Sequence, residues 1–252
     1  MGFKVGLDAS TSSIGISVFN EKAELLKLTS FSPKKNKLDQ KHMLLNKVDQ
    51  FISFFESEVA NKGVVEDIII EEALISSTNI NTATMLNFYQ GILFTRLKQL
   101  LPETNIEFVT VNDSRKTVLR EFVEKNVLWK AVPKEICGIP KSKHKKMLIL
   151  NAVSQRFPEI KWSLNNNKTI DNTNYDRADS VVLGLYYFIK ERLIEPITGD
   201  LSKNISIIES YYEYLDFCND LTGSSTEKKA LKKAYLEEYL KLDKIMNFDI
   251  YV

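Results

Sequence analysis

Apolar residues alternate with polar or small ones at Phe3, Val5 and Leu7, the period of a strand with one face buried. A small-polar turn, Ala9 to Ser13, leads into Ile14-Gly15-Ile16-Ser17-Val18-Phe19, and after a turn at Asn20 to Ala23 the stretch Glu24 to Thr29 reads as a third strand. Three short strands in succession predict an antiparallel meander. The period then changes: Leu44, Leu45, Val48, Phe51, Ile52 and Phe55 recur at helical spacing and predict an amphipathic helix over residues 38–60, with Gly63 as its stop. Asp67-Ile68-Ile69-Ile70-Glu71-Glu72 follows, a β-branched run that closes on two carboxylates. Its continuous apolar character suits a central strand covered on both faces.

Residues 81–101 are helical up to Pro102, 107–111 form another strand, 114–124 a helix and 127–140 an irregular stretch. A helix over 142–157 precedes Pro158, and the asparagine-rich 161–174 reads as a loop. A strongly apolar helix over 175–192 runs towards Pro196. The order predicts an α/β domain, one mixed five-stranded sheet flanked by helices, over residues 1–195. Residues 196–252 are expected to be a helical extension packed on that core, with Leu231, Tyr235, Leu242, Ile245 and Met246 as its apolar stripe.

Composition narrows the class. The chain has 252 residues, 44% hydrophobic and 27% charged, enough to bury a sizeable core and unlike a disordered chain. The longest apolar run, Val181 to Ile189, is nine residues, about half of a membrane span. No basic stretch followed by an apolar one opens the chain, so no secretory leader is expected and a cytoplasmic setting is, the host cytoplasm if the chain is viral. Cys137 and Cys218 make no disulfide framework, and with His42 and His144 as the two histidines a His-rich zinc site is excluded.

Net charge is +1, so bulk charge announces no nucleic-acid partner; its distribution says more. Lys141, Lys143, Lys145 and Lys146 surround His144, Lys34, Lys35, Lys37 and Lys41 form a second cluster, and Lys228, Lys229, Lys232 and Lys233 a third. The first suits phosphate neutralisation without base reading. The third shares its helix with Glu227, Glu237 and Glu238 and reads as a solvated face.

Four acids sit where an apolar element would rather not carry charge. Asp8 ends the first strand and Glu71 the fourth, while Asp176 and Asp179 lie three apart at the start of the last core helix and so share a face. Singly, each is a turn residue or a helix-dipole partner. If the two strands are neighbours and the helix packs across their ends, the four converge, and such a cluster needs a counter-charge. Hard divalent cations, Mg²⁺ or Mn²⁺, meet that need, and two such ions per site are the arrangement that serves phosphodiester hydrolysis.

Gly6-Leu7-Asp8-Ala9-Ser10-Thr11-Ser12-Ser13-Ile14-Gly15 resembles the opening strand and turn of RuvC-type Holliday-junction resolvases. Ile68-Ile69-Ile70-Glu71-Glu72-Ala73 is similar to that family's second acidic strand, and Tyr175-Asp176-Arg177-Ala178-Asp179-Ser180-Val181 to its closing motif. The resemblance implies an RNase H-like fold, a homodimer, branched DNA as partner and metal-dependent nicking of a four-way junction. It further implies Asp8, Glu71, Asp176 and Asp179 as catalytic metal ligands. Arg115 or Lys116 would stand near the scissile phosphate, and Lys143, Lys145 and Lys146 on a DNA-contacting helix. Glu72 stands where the family more often has an amide, and Leu74 where some members place an aromatic wedge. The longer interval from Glu71 to Asp176 and the last 60 or so residues depart from the compact bacterial members and look more like bacteriophage resolvases.

Three other readings compete. A related nuclease acting on flaps or branched replication intermediates would carry the same metal site. A catalytically silent nucleic-acid-binding module would not need all four acids. A sugar- or acetate-kinase-type ATPase would need a glycine-rich adenosine loop, and none of the nine glycines is in a G-x-G arrangement. The aromatic trio Tyr211, Tyr212 and Tyr214 is expected to seal a helix rather than to stack on bases. The apolar face Leu86, Tyr89, Leu93 and Leu97 is expected to be core or a dimer interface.

Overall fold

The computed structural model describes residues 2–34, 40–73, 80–119, 144–166, 170–197, 217, 220–228, 230–232 and 234. Strands β1 (Gly2–Ala9), β2 (Ile14–Phe19) and β3 (Leu25–Phe31) form the expected meander, with β2 antiparallel to both neighbours. Helix α1 (Gln40–Glu58) and a 3-10 turn at Ala60–Lys62 lead to β4 (Val64–Glu71), which lies parallel to β1. Helix α2 (Ile80–Leu100) crosses to β5 (Asn105–Val109), parallel to β4. Helices α3 (Val111–Val118), α4 (His144–Arg156) and α5 (Thr173–Lys190) follow. The sheet order is β3-β2-β1-β4-β5, a mixed five-stranded sheet, as expected.

Two compact units divide the chain. The sheet, α1, α2, α3 and α5 belong to Met1–Arg120 with Trp162–Ile197; α4 belongs to Glu121–Lys161 with Thr198–Val252. The irregular stretch expected over 127–140, the tyrosine trio and most of the expected extension over 196–252 lie outside the described residues.

Alternation in the strands sends each sheet face to a different helix layer. Phe3, Val5 and Leu7 of β1, Ile14, Ile16 and Val18 of β2, and Ile68 and Ile70 of β4 join Leu44, Val48, Phe51 and Phe55 of α1 and Tyr89, Leu93 and Leu97 of α2 in one buried core. Of the α2 stripe, Tyr89, Leu93 and Leu97 are therefore core, while Leu86 is half-buried outside that cluster. On the other face Ile69, Val109 and Leu183 pack together with Tyr186 and Tyr187 of α5.

Several boundaries differ from the periodicity, those of β4 and β5 among them. Strand β4 starts at Val64 instead of Asp67, because Gly2 and Phe3 pair with Val64 and Val65 before a register shift. Strand β5 spans Asn105–Val109 instead of 107–111, because Thr110 leaves the sheet and its hydroxyl accepts from the Asp113 N–H as the cap of α3.

Candidate active site

The β1–β4 ladder runs Gly6 to Ile69 and ends at Leu7 with Ile70, the residues that directly precede Asp8 and Glu71 on the two strands. In parallel strands residues at one level share a face, so both carboxylates point away from the α1–α2 core and towards α5. Both side chains are half-buried. Glu72, one residue on, has left the strand, and its N–H donates to the Val109 carbonyl at 2.8 Å.

Helix α5 reaches this strand end because the sheet beneath it is stripped of side chains. A Cβ on Gly15, the cross-strand partner of Asp8, would stand 1.9 Å from the Asp176 carbonyl oxygen. A Cβ on Gly6 would stand 2.1 Å from the Ser180 carbonyl oxygen and 2.4 Å from the Gly184 nitrogen. Contacts that close with backbone leave room for glycine alone. The Ser17 hydroxyl, on the β2 residue paired with Gly6, donates to the Ser180 carbonyl at 2.7 Å. Further along, Tyr187 lies against Lys4, so α5 runs antiparallel to β1 from the Asp8 end to the Lys4 end.

Asp176 thus has its backbone over β2. Asp179 reaches the opposite side: its Oδ1 accepts from Arg115 Nη2 of α3 at 2.8 Å, an ion pair whose side chains are 12% and 7% exposed. Helix α3 begins two residues after Val109, the neighbour of Glu71 across the sheet. In sheet order, Asp8 and Glu71 therefore lie between the strand under Asp176 and the strand that delivers Asp179's partner. The helix start is fastened by the loop before it. The buried Asn174 amide donates to the Ser163 carbonyl at 2.6 Å and its oxygen accepts from Ser163 N at 3.2 Å and Arg177 Nη1 at 2.9 Å. The Arg177 guanidinium lies 5.4 Å from the Trp162 ring, and burial pulls its pKa down.

Two residues that the sequence did not single out support the acidic strand. Gln90, in the buried stripe of α2, donates through Nε2 to the Glu71 carbonyl at 2.5 Å and accepts from Ala73 N at 2.9 Å. A glutamine next to core residues Tyr89 and Leu93 was the available signal. Lys4, buried in an apolar strand, bonds to Asp67 and, at 2.9 Å, to Glu66 Oε2, with its Nζ 4.5 Å from the centre of the Tyr187 ring. Burial alone would lower its pKa, but the hydrogen bonds to Asp67, Glu66 and Tyr187 outweigh it and hold the ammonium well above its ordinary range.

The expected DNA contacts divide. Arg115 is joined to Asp179, whereas Lys116 is exposed on α3. Lys145 and Lys146 lie in α4, Lys146 exposed, within the second unit. Lys143 is outside the described residues. No group of three or more His, Cys, Asp or Glu side chains stands together as a metal cage among the described residues. In donor chemistry alone, Asp8, Glu71, Asp176 and Asp179 offer carboxylate oxygens, the kind a hard cation takes. No helix among the described residues is long and apolar enough to cross a membrane.

No protein-family model matches the chain, and no curated protein does. Among solved structures it is similar to Thermus thermophilus RuvC in complex with a Holliday junction substrate, at 9% identity and a TM-score of 0.48, covering 77% of this chain and 96% of that one. It is also similar to a second Thermus thermophilus RuvC structure, at 10% identity, TM-score 0.45, and 75% and 95% coverage. The yeast mitochondrial Holliday junction resolvase matches at 12% identity, TM-score 0.45, and 75% and 80% coverage. At these identities no residue role passes from those proteins to this chain.

Proposed function

We propose that this chain is a metal-dependent, structure-selective DNA endonuclease that resolves four-way junctions by paired nicks. One observation carries the reading: Asp8 and Glu71 directly follow the last pair of the parallel β1–β4 ladder, Leu7 with Ile70, beside the helix whose first turns bear Asp176 and Asp179. Those four carboxylates would hold two Mg²⁺ or Mn²⁺ ions. When bound, such a pair polarises the phosphodiester, lowers the pKa of the attacking water and stabilises the leaving oxygen.

The protein's own part is orientation. Glycines 6 and 15 let α5 descend onto the sheet, Gln90 fixes the main chain of Glu71, and Arg115 holds Asp179. Lys116 on α3, with Lys143, Lys145 and Lys146, would neutralise backbone phosphates on the arms of the branch. Two copies related by a two-fold axis would present matching sites to opposite strands.

The test is cleavage of an end-labelled four-way junction beside linear-duplex and flap controls, in Mg²⁺ and in EDTA, with wild-type and Asp8→Asn protein. Paired, metal-dependent nicks confined to the junction and lost in Asp8→Asn support the reading. Equal cutting of flaps makes the protein a general branch nuclease, and junction binding without cutting makes it a silent module. Full activity in Asp8→Asn removes Asp8 from the site.

A further inference from the structure

Where Asp8 meets Glu71 depends on a one-residue irregularity at the other end of the ladder. Phe3 pairs with Val65, but Lys4 pairs with Asp67, so Glu66 is an extra residue in β4. Beyond it the register runs unbroken to Leu7 and Ile70. Without that bulge Lys4 would face Glu66, Leu7 would face Ile69 and Asp8 would face Ile70. Every later side chain of β4 would then turn to the opposite sheet face, and Glu71 would point into the α1–α2 core.

The apolar part of the strand does little to forbid this. Ile68, Ile69 and Ile70 are consecutive and identical, and all three are buried, so either register fills both faces with isoleucine. The distinction falls to the charged residues ahead of them. Glu66 and Asp67 both bond to the Lys4 ammonium, which spans the bulge, and Asp67 also accepts from Asn105 Nδ2 at 3.0 Å. Lys4 and Asp67 are each 8% exposed. Asp67 in the slipped register would lie on the α1–α2 face, among the aliphatic and aromatic side chains of the main core.

We infer that Lys4 is a positioning residue: by clamping Glu66 and Asp67 across the bulge it sets the β1–β4 register in which Asp8 stands beside Glu71. It touches neither carboxylate and acts four residues away along the strand. The inference rests on the proposed function for its consequence, metal binding by Asp8 and Glu71, but the register itself is measured independently.

The experiment compares wild type with Lys4→Met, Lys4→Arg and the apolar pair Lys4→Met/Asp67→Leu. Replacing both charges with apolar groups leaves no unpaired buried ion, so the double variant folds even where Lys4→Met does not. Register is read from methyl NOEs between Leu7 and the isoleucines, and cation affinity from Mn²⁺ titration by water-proton relaxation. The double variant is expected to exchange the Leu7–Ile70 contact for Leu7–Ile69. It should also bind Mn²⁺ about 10–100-fold more weakly, the usual effect of losing a group that orients a ligand. Lys4→Arg keeps both wild-type readouts. A double variant that retains the Leu7–Ile70 contact with undiminished Mn²⁺ affinity overturns the role of Lys4. A wild-type protein that binds no Mn²⁺ overturns the metal-dependent reading instead, and the NOE pattern still decides Lys4.

Discussion

Arg115 and Asp179 form a buried ion pair, Nη2 to Oδ1 at 2.8 Å, that ties α3 to α5 beside the acidic strand ends. Removing the guanidinium leaves the buried Asp179 carboxylate without its cation. Arg115→Met should therefore cost roughly 3–5 kcal/mol of stability, as breaking one side of a buried pair does. Asp179→Asn, which keeps an acceptor for Arg115, should cost less. Urea unfolding of both variants checks this, and a loss below about 1 kcal/mol for Arg115→Met would place the pair with surface ion pairs.

Two glycines should respond in opposite directions to the same substitution. Gly6→Ala forces a methyl against the Ser180 carbonyl and the Gly184 nitrogen, neither of which can yield without lifting α5. A loss of about 1–3 kcal/mol or more follows from such overpacking. Gly91, inside α2, has no atom within 4 Å of the added Cβ. Gly91→Ala should stabilise by about 0.4–1 kcal/mol by restricting the unfolded chain. Thermal unfolding of the two variants should bracket wild type; a Gly6→Ala protein as stable as Gly91→Ala would show that α5 does not sit so close.

Much of this frame was legible in the strands, because alternation and short turns are local signals. Asp8, Glu71, Asp176 and Asp179 could be picked out because each is a charge at the edge of an apolar element. What lay beyond the sequence was relational. Nothing in Arg115 says that it will meet a residue 64 positions away, and a core glutamine such as Gln90 shows its use when the Glu71 carbonyl is seen opposite it. The bulge at Glu66 is hidden because a run of three isoleucines has no alternation to read.

The start of α3 lies before the Ser114 that its periodicity predicts, for a reason that can be tested. A helix beginning at Ser114 was expected, but Thr110 caps it: its hydroxyl accepts from Asp113 N at 3.1 Å and donates to Asp113 Oδ2 at 2.7 Å. The reciprocal Thr-x-x-Asp pattern is in the sequence, but the apolar alternation over 107–111 draws Thr110 into the expected strand. Thr110→Ala should cost about 1 kcal/mol, with Thr110→Ser close to wild type. Amide hydrogen exchange in α3 should rise in the alanine variant; unchanged exchange would mean that packing alone holds the helix start.

Stability at high pH should fall, and Tyr89 should account for part of the fall. Its hydroxyl is buried and has no hydrogen-bond partner among the described residues. Burial raises its pKa well above the ordinary value near 10. The folded state therefore keeps a proton that the unfolded chain releases, so this contribution is intact below about pH 10 and is lost as pH rises further. Lys4, also raised, acts in the same sense through its bonds to Asp67 and Glu66. Tyr89→Phe removes one of the two and an unsatisfied hydroxyl. It should be at least as stable as wild type at pH 7, by up to about 1 kcal/mol, and lose less stability between pH 9 and 11. A steeper alkaline loss in Tyr89→Phe would contradict the burial argument.

The adjacent acids Glu71 and Glu72 offer the sharpest contrast between a metal ligand and its neighbour. Glu71 is the last residue of β4, and alternation with Ile70 in the main core sets it on the α5 face; Glu72 follows the strand, its N–H committed to Val109. Amide substitution changes each side chain by one charge and almost no volume. If the carboxylates on the α5 face bind the cation, Glu71→Gln should lower junction cleavage by about 10²-fold or more, since even partners one step removed from a metal cost 10–100-fold. Glu72→Gln should stay within a few-fold of wild type. Raising Mg²⁺ should partly restore Glu71→Gln, because a lost ligand weakens binding of the ion before it alters the chemistry. Equal loss in the two variants, without recovery in Mg²⁺, would mean that the end of β4 serves only as a negatively charged rim, and that the strand register does not select the ligand.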